Sequence, residues 1–195
     1  MLKRIAILTL GLLFSAQFAV AAVYQVDPVH SQIGFSVDHL VIFKVSGTFD
    51  DYAGTVEADP GAQTLQSAQA TIRTASINTR EQKRDDHLRS ADFFDAGNHP
   101  ELTFVSKRVE GSADDITVYG DLTIRGTTRE VALKGSFRGA NTDPWGNQRA
   151  GFSASTVINR HDYGLRWNKA LETGGVVVGD EVTIDLEIQA VAVTP

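Results

Sequence analysis

The chain has 195 residues, a formal charge of −6 at pH 7 and no cysteine. That length suits a single domain, and the acidic excess disfavours nucleic acid as a partner. The missing thiols exclude a disulfide framework, a cysteine-based zinc site and a thiol nucleophile.

Residues 1–22 read as a secretory signal. Lys3 and Arg4 form a positive start, Ile5 to Phe14 a short apolar run, and Ala19-Val20-Ala21 a small-x-small cleavage site. The apolar run is too short to span a bilayer. Cleavage would leave Ala22 or Val23 at the new terminus and one domain over 23–195. Loss of Lys3 and Arg4 takes the formal charge to −8. The expected location is a bacterial periplasm.

The exported part alternates apolar and polar residues almost throughout. Val23 to Asp27 is a short strand closed by Pro28. Ile33, Phe35 and Val37 share one face of the next strand, and Phe43, Val45, Gly47 and Phe49 keep that phase. Tyr52, Gly54, Val56 and Ala58 form another half-buried strand before the Asp59-Pro60-Gly61 turn. Ala68, Ala70 and Ile72 continue the pattern.

From Thr79 onward the pattern changes. Arg84-Asp85-Asp86-His87-Leu88-Arg89-Ser90-Ala91-Asp92-Phe93-Phe94 is the one stretch that reads as helix. Thr79 with Gln82 has the form of a capping box. Leu88 is the single large apolar residue between Arg80 and Ser90, so the helix has no stripe to bury. Two arrangements satisfy it: a polar cap on the end of a β structure, anchored by Leu88, Phe93 and Phe94, or a crossover helix outside a sheet.

Strands resume at Leu102 to Val109, with Gly111 closing. Ile116, Val118, Gly120, Leu122 and Ile124 share the next face; Val131, Leu133, Gly135 and Phe137 share another before a turn at Gly139. After the polar loop 141–147 come Phe152, Ala154, Thr156 and Ile158. An irregular stretch then carries Leu165, Trp167 and Leu171 between Gly164 and Gly174-Gly175. Val182, Ile184, Leu186 and Ile188 form the last strand. Eight or nine strands with turns about every ten residues mean an antiparallel sandwich or a closed barrel. One apolar face per strand and glycines within strands favour the barrel. Alanines and glycines on the apolar faces leave room for a cavity in a barrel of about eight strands.

Catalytic signals are sparse. The five histidines, His30, His39, His87, His99 and His161, show no paired metal-ligand spacing. A zinc site assembled from distant strands is the alternative to structural histidines. His87 with Asp85 or Asp86 is acid–base material for a hydrolase or isomerase, but there is no Gly-x-Ser-x-Gly elbow. Arg84, Arg89, Arg125, Arg160 and Arg166 would suit an anionic head group at a barrel mouth; ordinary surface pairing, such as Asp85 with Arg89, is the plainer reading.

In order, these stretches resemble the YceI-like family of exported polyisoprenoid-binding proteins, over about Val23 to Val191. The resemblance rests on Asp27-Pro28-Val29-His30-Ser31 with Phe35-Ser36-Val37-Asp38-His39, on Gly47-Thr48-Phe49 with Gly54, and above all on Arg84 through Phe93. Pro100 with Phe104 and Ser106, Gly120 to Gly126, Asp143-Pro144-Trp145-Gly146 with Arg149 to Phe152, and Asn159-Arg160 with Asp162-Tyr163-Gly164 complete it. It implies an all-β fold: an eight-stranded, antiparallel, lipocalin-like barrel with a helical cap. It also implies an apolar tunnel for a polyisoprenoid chain, as in quinones or polyprenyl phosphates. It supplies no catalytic residue, cofactor or metal.

By strand phase the tunnel wall should include Phe35, Val37, Phe104, Leu122, Ile124, Leu133, Phe137, Ile158 and Ile184, under a cap of Leu88, Phe93 and Phe94. Arg84, Arg160 and Arg166 are the candidates for a phosphorylated head group. The expected activity is that of a carrier for an isoprenoid lipid or quinone; the alternative is a scavenger of apolar compounds in the same cavity. Val41-Ile42-Phe43 is unusually apolar for a loop. A homodimer would cover it. Transient inner-membrane contact is a separate expectation for a lipid carrier.

Overall fold

The computed structural model describes residues 21–170 and 175–193. All but the last two residues of the predicted leader, together with Leu171 and Gly174, lie outside the described residues. The described chain forms β1 (Ala22–Val26), β2 (Gln32–His39), β3 (Phe43–Phe49), β4 (Tyr52–Asp59), β5 (Thr64–Arg73), β6 (Ile77–Asn78), α1 (Gln82–Arg89), β7 (Glu101–Ser112), β8 (Asp115–Ile124), β9 (Thr127–Thr142), β10 (Gln148–Asn159) and β11 (Val178–Ala192).

These strands make eight staves of one closed antiparallel barrel. Both β1 and β2 pair with β11, through Val26 opposite Ala190 and Phe35 opposite Ile184. They are therefore two halves of one stave, interrupted at Asp27–Ser31. In the same way β3 and β4 pair with β2 and β1, and β6 and β5 pair with β3 and β4. From β7 to β11 each strand is one unbroken stave. Closure leaves no long edge for aggregation.

The interruptions are stitched by side chains. At the first, Ser31 Oγ donates to the Gln189 carbonyl at 3.0 Å and accepts from the Gln189 N–H at 2.9 Å, replacing a backbone pair. Tyr52 Oη donates to the Ser31 carbonyl at 2.6 Å. At the third, a 3-10 turn over Thr74–Ser76, the buried Thr74 hydroxyl donates to the His99 carbonyl.

The alternation survives best in β8, where Ile116, Val118, Leu122 and Ile124 are buried and their neighbours are not. One end of the barrel is packed solid by Tyr24, Ala58, Leu65, Ala150 and Ala190. Two boundaries differ from the sequence reading. Gly139 does not end a strand: it sits inside β9 at φ 120°, where the register with β10 slips and Arg138 becomes the extra residue of a bulge. Phe43 keeps its phase on β3 but is exposed, because the β2–β3 hairpin runs past the barrel rim.

Candidate functional site: a capped apolar cavity

The other end of the barrel is closed by α1 and the segment after it, the cap arrangement rather than the crossover. Beneath lies a cavity of about 250 Å³. Leu88, Phe93 and Phe94 form its lid and Phe35, Phe104, Leu122 and Ile184 are among its walls. Lining positions on β11 run from Val178 to Ile188, about 30 Å of strand at roughly 3.3 Å per residue. The space is thus long, suited to a chain. Val182, Ile184, Leu186 and Ile188 point inward yet are only half-buried. The area they leave uncovered faces this cavity.

Small residues create the room. A Cβ on Gly47 would stand 2.5 Å from Phe35 Cζ, and one on Gly120 would stand 2.5 Å from Phe104 Cζ. Each glycine gives an aromatic ring the wall space that a side chain would take. Ala68, Ala70 and Ala154 line the remainder with little bulk.

The lid is held by arginines donating to backbone carbonyls. Arg89 Nε and Nη2 reach the carbonyls of Ala75 and Ile77, each at 2.7 Å. Arg125 joins the Ala91 and Gly164 carbonyls at 2.9 and 3.1 Å. Arg84 donates to the Thr79 hydroxyl and carbonyl at 2.7 and 2.8 Å. The buried Asp85 accepts from the Thr79 N–H at 2.9 Å and its hydroxyl at 2.5 Å. Thr79 is therefore a clamped turn residue and not the helix cap. The chain reverses at Arg80 (φ 62°), and Glu81 caps α1 by accepting from the Arg84 N–H at 2.6 Å. Asp85 being occupied here, the ion pair on the helix is Asp86 with Arg89, at 3.1 Å.

Arg160 is buried beside the cavity. It donates to the carbonyls of Leu165, Gly179 and Trp167 at 2.5, 2.8 and 3.0 Å, with Asp180 at 3.4 Å. Burial pulls its pKa below the ordinary arginine value, and Asp180 opposes that shift. Its role is to tie the backbone at Leu165 and Trp167 to the start of β11. Arg84 is likewise committed to Thr79, so of the three head-group candidates only Arg166, which is exposed, lacks such ties among the described residues. Tyr163, also in the wall, is 2% exposed and its hydroxyl has no partner among the described residues. Burial, with Asp162 adding to it, pushes its pKa up to about 12, so it stays neutral.

Of the nine predicted wall residues, Phe35, Val37, Phe104, Leu122, Ile124, Leu133, Ile158 and Ile184 line the cavity. Phe137 does not: it is buried toward the filled end, with its ring 5.3 Å from that of Phe152, which takes the lining place. Strand phase could have added Ile33, Leu186 and Ile188, which share faces with residues already chosen. Leu165 and Val178 lie in or beside irregular backbone and carry no phase signal.

His87 lies outside the cavity. Its Nε2 is 3.0 Å from Asp92 Oδ2, and its ring meets Phe93 and Trp167 edge-on at 5.0 and 4.9 Å. Asp85 points away to Thr79, so the proposed His–Asp pairing on the helix does not form with it. Among the described residues no three metal-ligating side chains converge, and no helix is long and apolar enough to cross a membrane.

A model of the YceI-like domain matches residues 24–190. A UPF0312 protein of Staphylococcus aureus strain MSSA476 is 41% identical over 160 residues, which is 82% of this chain and 91% of the relative. The crystal structure of BcnA from Burkholderia cenocepacia superposes with a TM-score of 0.73 at 25% identity, covering 85% of this chain and 99% of that one. A polyisoprenoid-binding domain from Saccharophagus degradans, implicated in plant cell wall breakdown, superposes at 0.68 with 18% identity, covering 87% and 98%; at that identity the likeness speaks to the fold alone.

Proposed function

The chain belongs to the YceI-like domain family, and we propose that it is an exported carrier that holds the chain of an isoprenoid lipid, a quinone or a polyprenyl phosphate. The observation that carries this reading is the capped, elongated cavity, walled by aliphatic and aromatic side chains from every stave. Such a wall attracts ligands through apolar burial, roughly 4 kcal/mol for the five carbons of an isoprene unit before ordering costs. The leader read over residues 1–22 agrees with a periplasmic location.

The cap residues point to binding rather than turnover. Asp85, Arg84, Arg89 and Arg125 are engaged in holding the lid. A phosphorylated head would stay at the rim, where Arg166 is exposed.

The test is to purify the protein without detergent, extract it with organic solvent and identify the apolar species by mass spectrometry. One isoprenoid near stoichiometric amount is expected. An empty extract, with no uptake of added quinone, would overturn the carrier reading. A wall so largely apolar also suits a scavenger, which would return a mixture of apolar compounds.

A further inference from the structure

The β2–β3 hairpin ends in an apolar point. Val41 is 74% exposed, Ile42 84% and Phe43 72%, and Val176 beside them 38%. The Ile42 N–H donates to the His39 carbonyl at 3.3 Å, closing a four-residue turn. Its central residues, Leu40 and Val41, have φ of 55° and 64°. Both central φ values are positive, the pattern of a type I′ turn, which strongly prefers Asn-Gly. A β-branched residue is a marked outlier there. The chain thus places large apolar groups in solvent at positions that local conformation disfavours.

The point is pinned to the opposite rim. The Leu40 N–H donates to the Val177 carbonyl at 2.9 Å, and Val178 pairs with His39. Val37 and Val178 both line the cavity, so the apolar point continues directly into the cavity wall. Among the described residues the charges around it are balanced although the whole chain is acidic. Lys44 pairs with Asp38 at 2.9 Å, and Asp180 lies 3.4 Å from Arg160 and 3.3 Å from His161. Lys169 is exposed next to Val177, whose N–H its carbonyl accepts.

We propose that this hairpin tip, Val41-Ile42-Phe43 with Val176, is a bilayer anchor that seats the cavity rim on a phospholipid surface, so that an apolar chain passes between membrane and barrel without crossing water. The proposal rests on the carrier reading for its purpose, but not for its test. The tip offers roughly 500 Å² of surface, estimated from ordinary residue areas. A stable dimer buries about 800 Å² per partner, so a second copy is poorly matched. A bilayer needs no complementary shape, only apolar groups reaching about 5–10 Å into the boundary between head groups and acyl chains. The balanced rim removes the repulsion that the acidic body would otherwise meet at an anionic surface.

The experiment is flotation of the purified protein, stripped of apolar cargo, with vesicles of phosphatidylcholine and phosphatidylglycerol at 3:1. Intact mass first establishes that the leader is gone. The parent should float, and the double variant Ile42→Asp/Phe43→Ser should lose about tenfold or more of that binding. Both replaced side chains are exposed, so circular dichroism should be unchanged. Uptake of a quinone from ethanol by the same two proteins reads the carrier claim separately and should be equal. A parent that stays in solution, or a variant that floats as well, overturns the anchor. So does a parent dimer that the variant dissociates in sedimentation velocity, since the tip would then be covered by a second copy.

Discussion

Phe104 lies across Gly120, with its Cζ 2.5 Å from where a Cβ on that glycine would stand. The ring can line the cavity because its neighbour on β8 has no side chain. Gly120→Ala should drive the ring inward and also press on the Val105 carbonyl, 2.6 Å from the same position. The expected cost is about 1–3 kcal/mol of stability, as for other overpacked cores, with a loss of ligand capacity. Urea unfolding and a quinone titration would measure both. Unchanged capacity would mean that the ring yields elsewhere.

Asp85 should matter to the lid and not to chemistry. Its carboxylate receives both the N–H and the hydroxyl of Thr79 while buried. Asp85→Ala leaves two donors unpaired and should cost about 2–3 kcal/mol. A loosened lid should also release ligand faster. Stopped-flow displacement of a bound fluorescent isoprenoid would show this, and an unaltered rate would separate the Thr79 clamp from lid closure.

His87 packs against Trp167, and the pair should report on the cap. Removing the ring by His87→Ala takes away two edge-on aromatic contacts, each worth about 0.5–1.5 kcal/mol. Trp167 should become wetter and its emission should shift to the red. Trp145 is 81% exposed and contributes a constant background. An unchanged spectrum would show that Phe93 alone, 5.3 Å from Trp167, fixes the indole.

Acid should loosen the filled end first. Arg149 donates to Asp27 at 2.7 Å and to Asp143 at 2.8 Å, joining the first stave to the β9–β10 loop. The Arg149 bond, aided by His30, holds the Asp27 pKa at about 2, below its ordinary 3.8. Asp143 is held well below the usual carboxylate range by the same guanidinium. A depressed folded pKa means the unfolded chain binds the proton more readily. The stabilisation is therefore complete above about pH 4 and drains away toward pH 2. Arg149→Met should flatten that stretch of the stability–pH curve. A slope equal to the parent's would place the acid sensitivity elsewhere.

Much of this was legible in the residues. Period-two alternation located most strands and eight of the nine wall residues, since a barrel turns every apolar face toward one interior. The polar run from Arg84 to Ser90 narrowed the helix to a cap or an outer crossover, because a helix without a stripe cannot pack in a core, but it could not choose between them. Phase could not show how far along a stave a residue sits, and so Phe137, in phase with Leu133, fell toward the filled end. Nor could it reveal the bulge at Gly139, which reads locally as a turn. The arginine partners were illegible because they are carbonyls of irregular backbone, brought close only by closure of the barrel. Thr79 had the spacing of a helix cap, but the turn at Arg80 shifted the start and gave that role to Glu81.

The most direct test of the central claim is to fill the cavity. Ala70 lines it from β5, and Ala70→Trp would occupy the space that a ligand needs, at about 1–3 kcal/mol of stability. Parent and variant would be titrated with a long-chain quinone and followed by quenching of tryptophan emission, with unfolding curves confirming that both are folded. Saturable one-to-one uptake by the parent and none by the variant is expected. Equal uptake by both, or none by a folded parent, would contradict it.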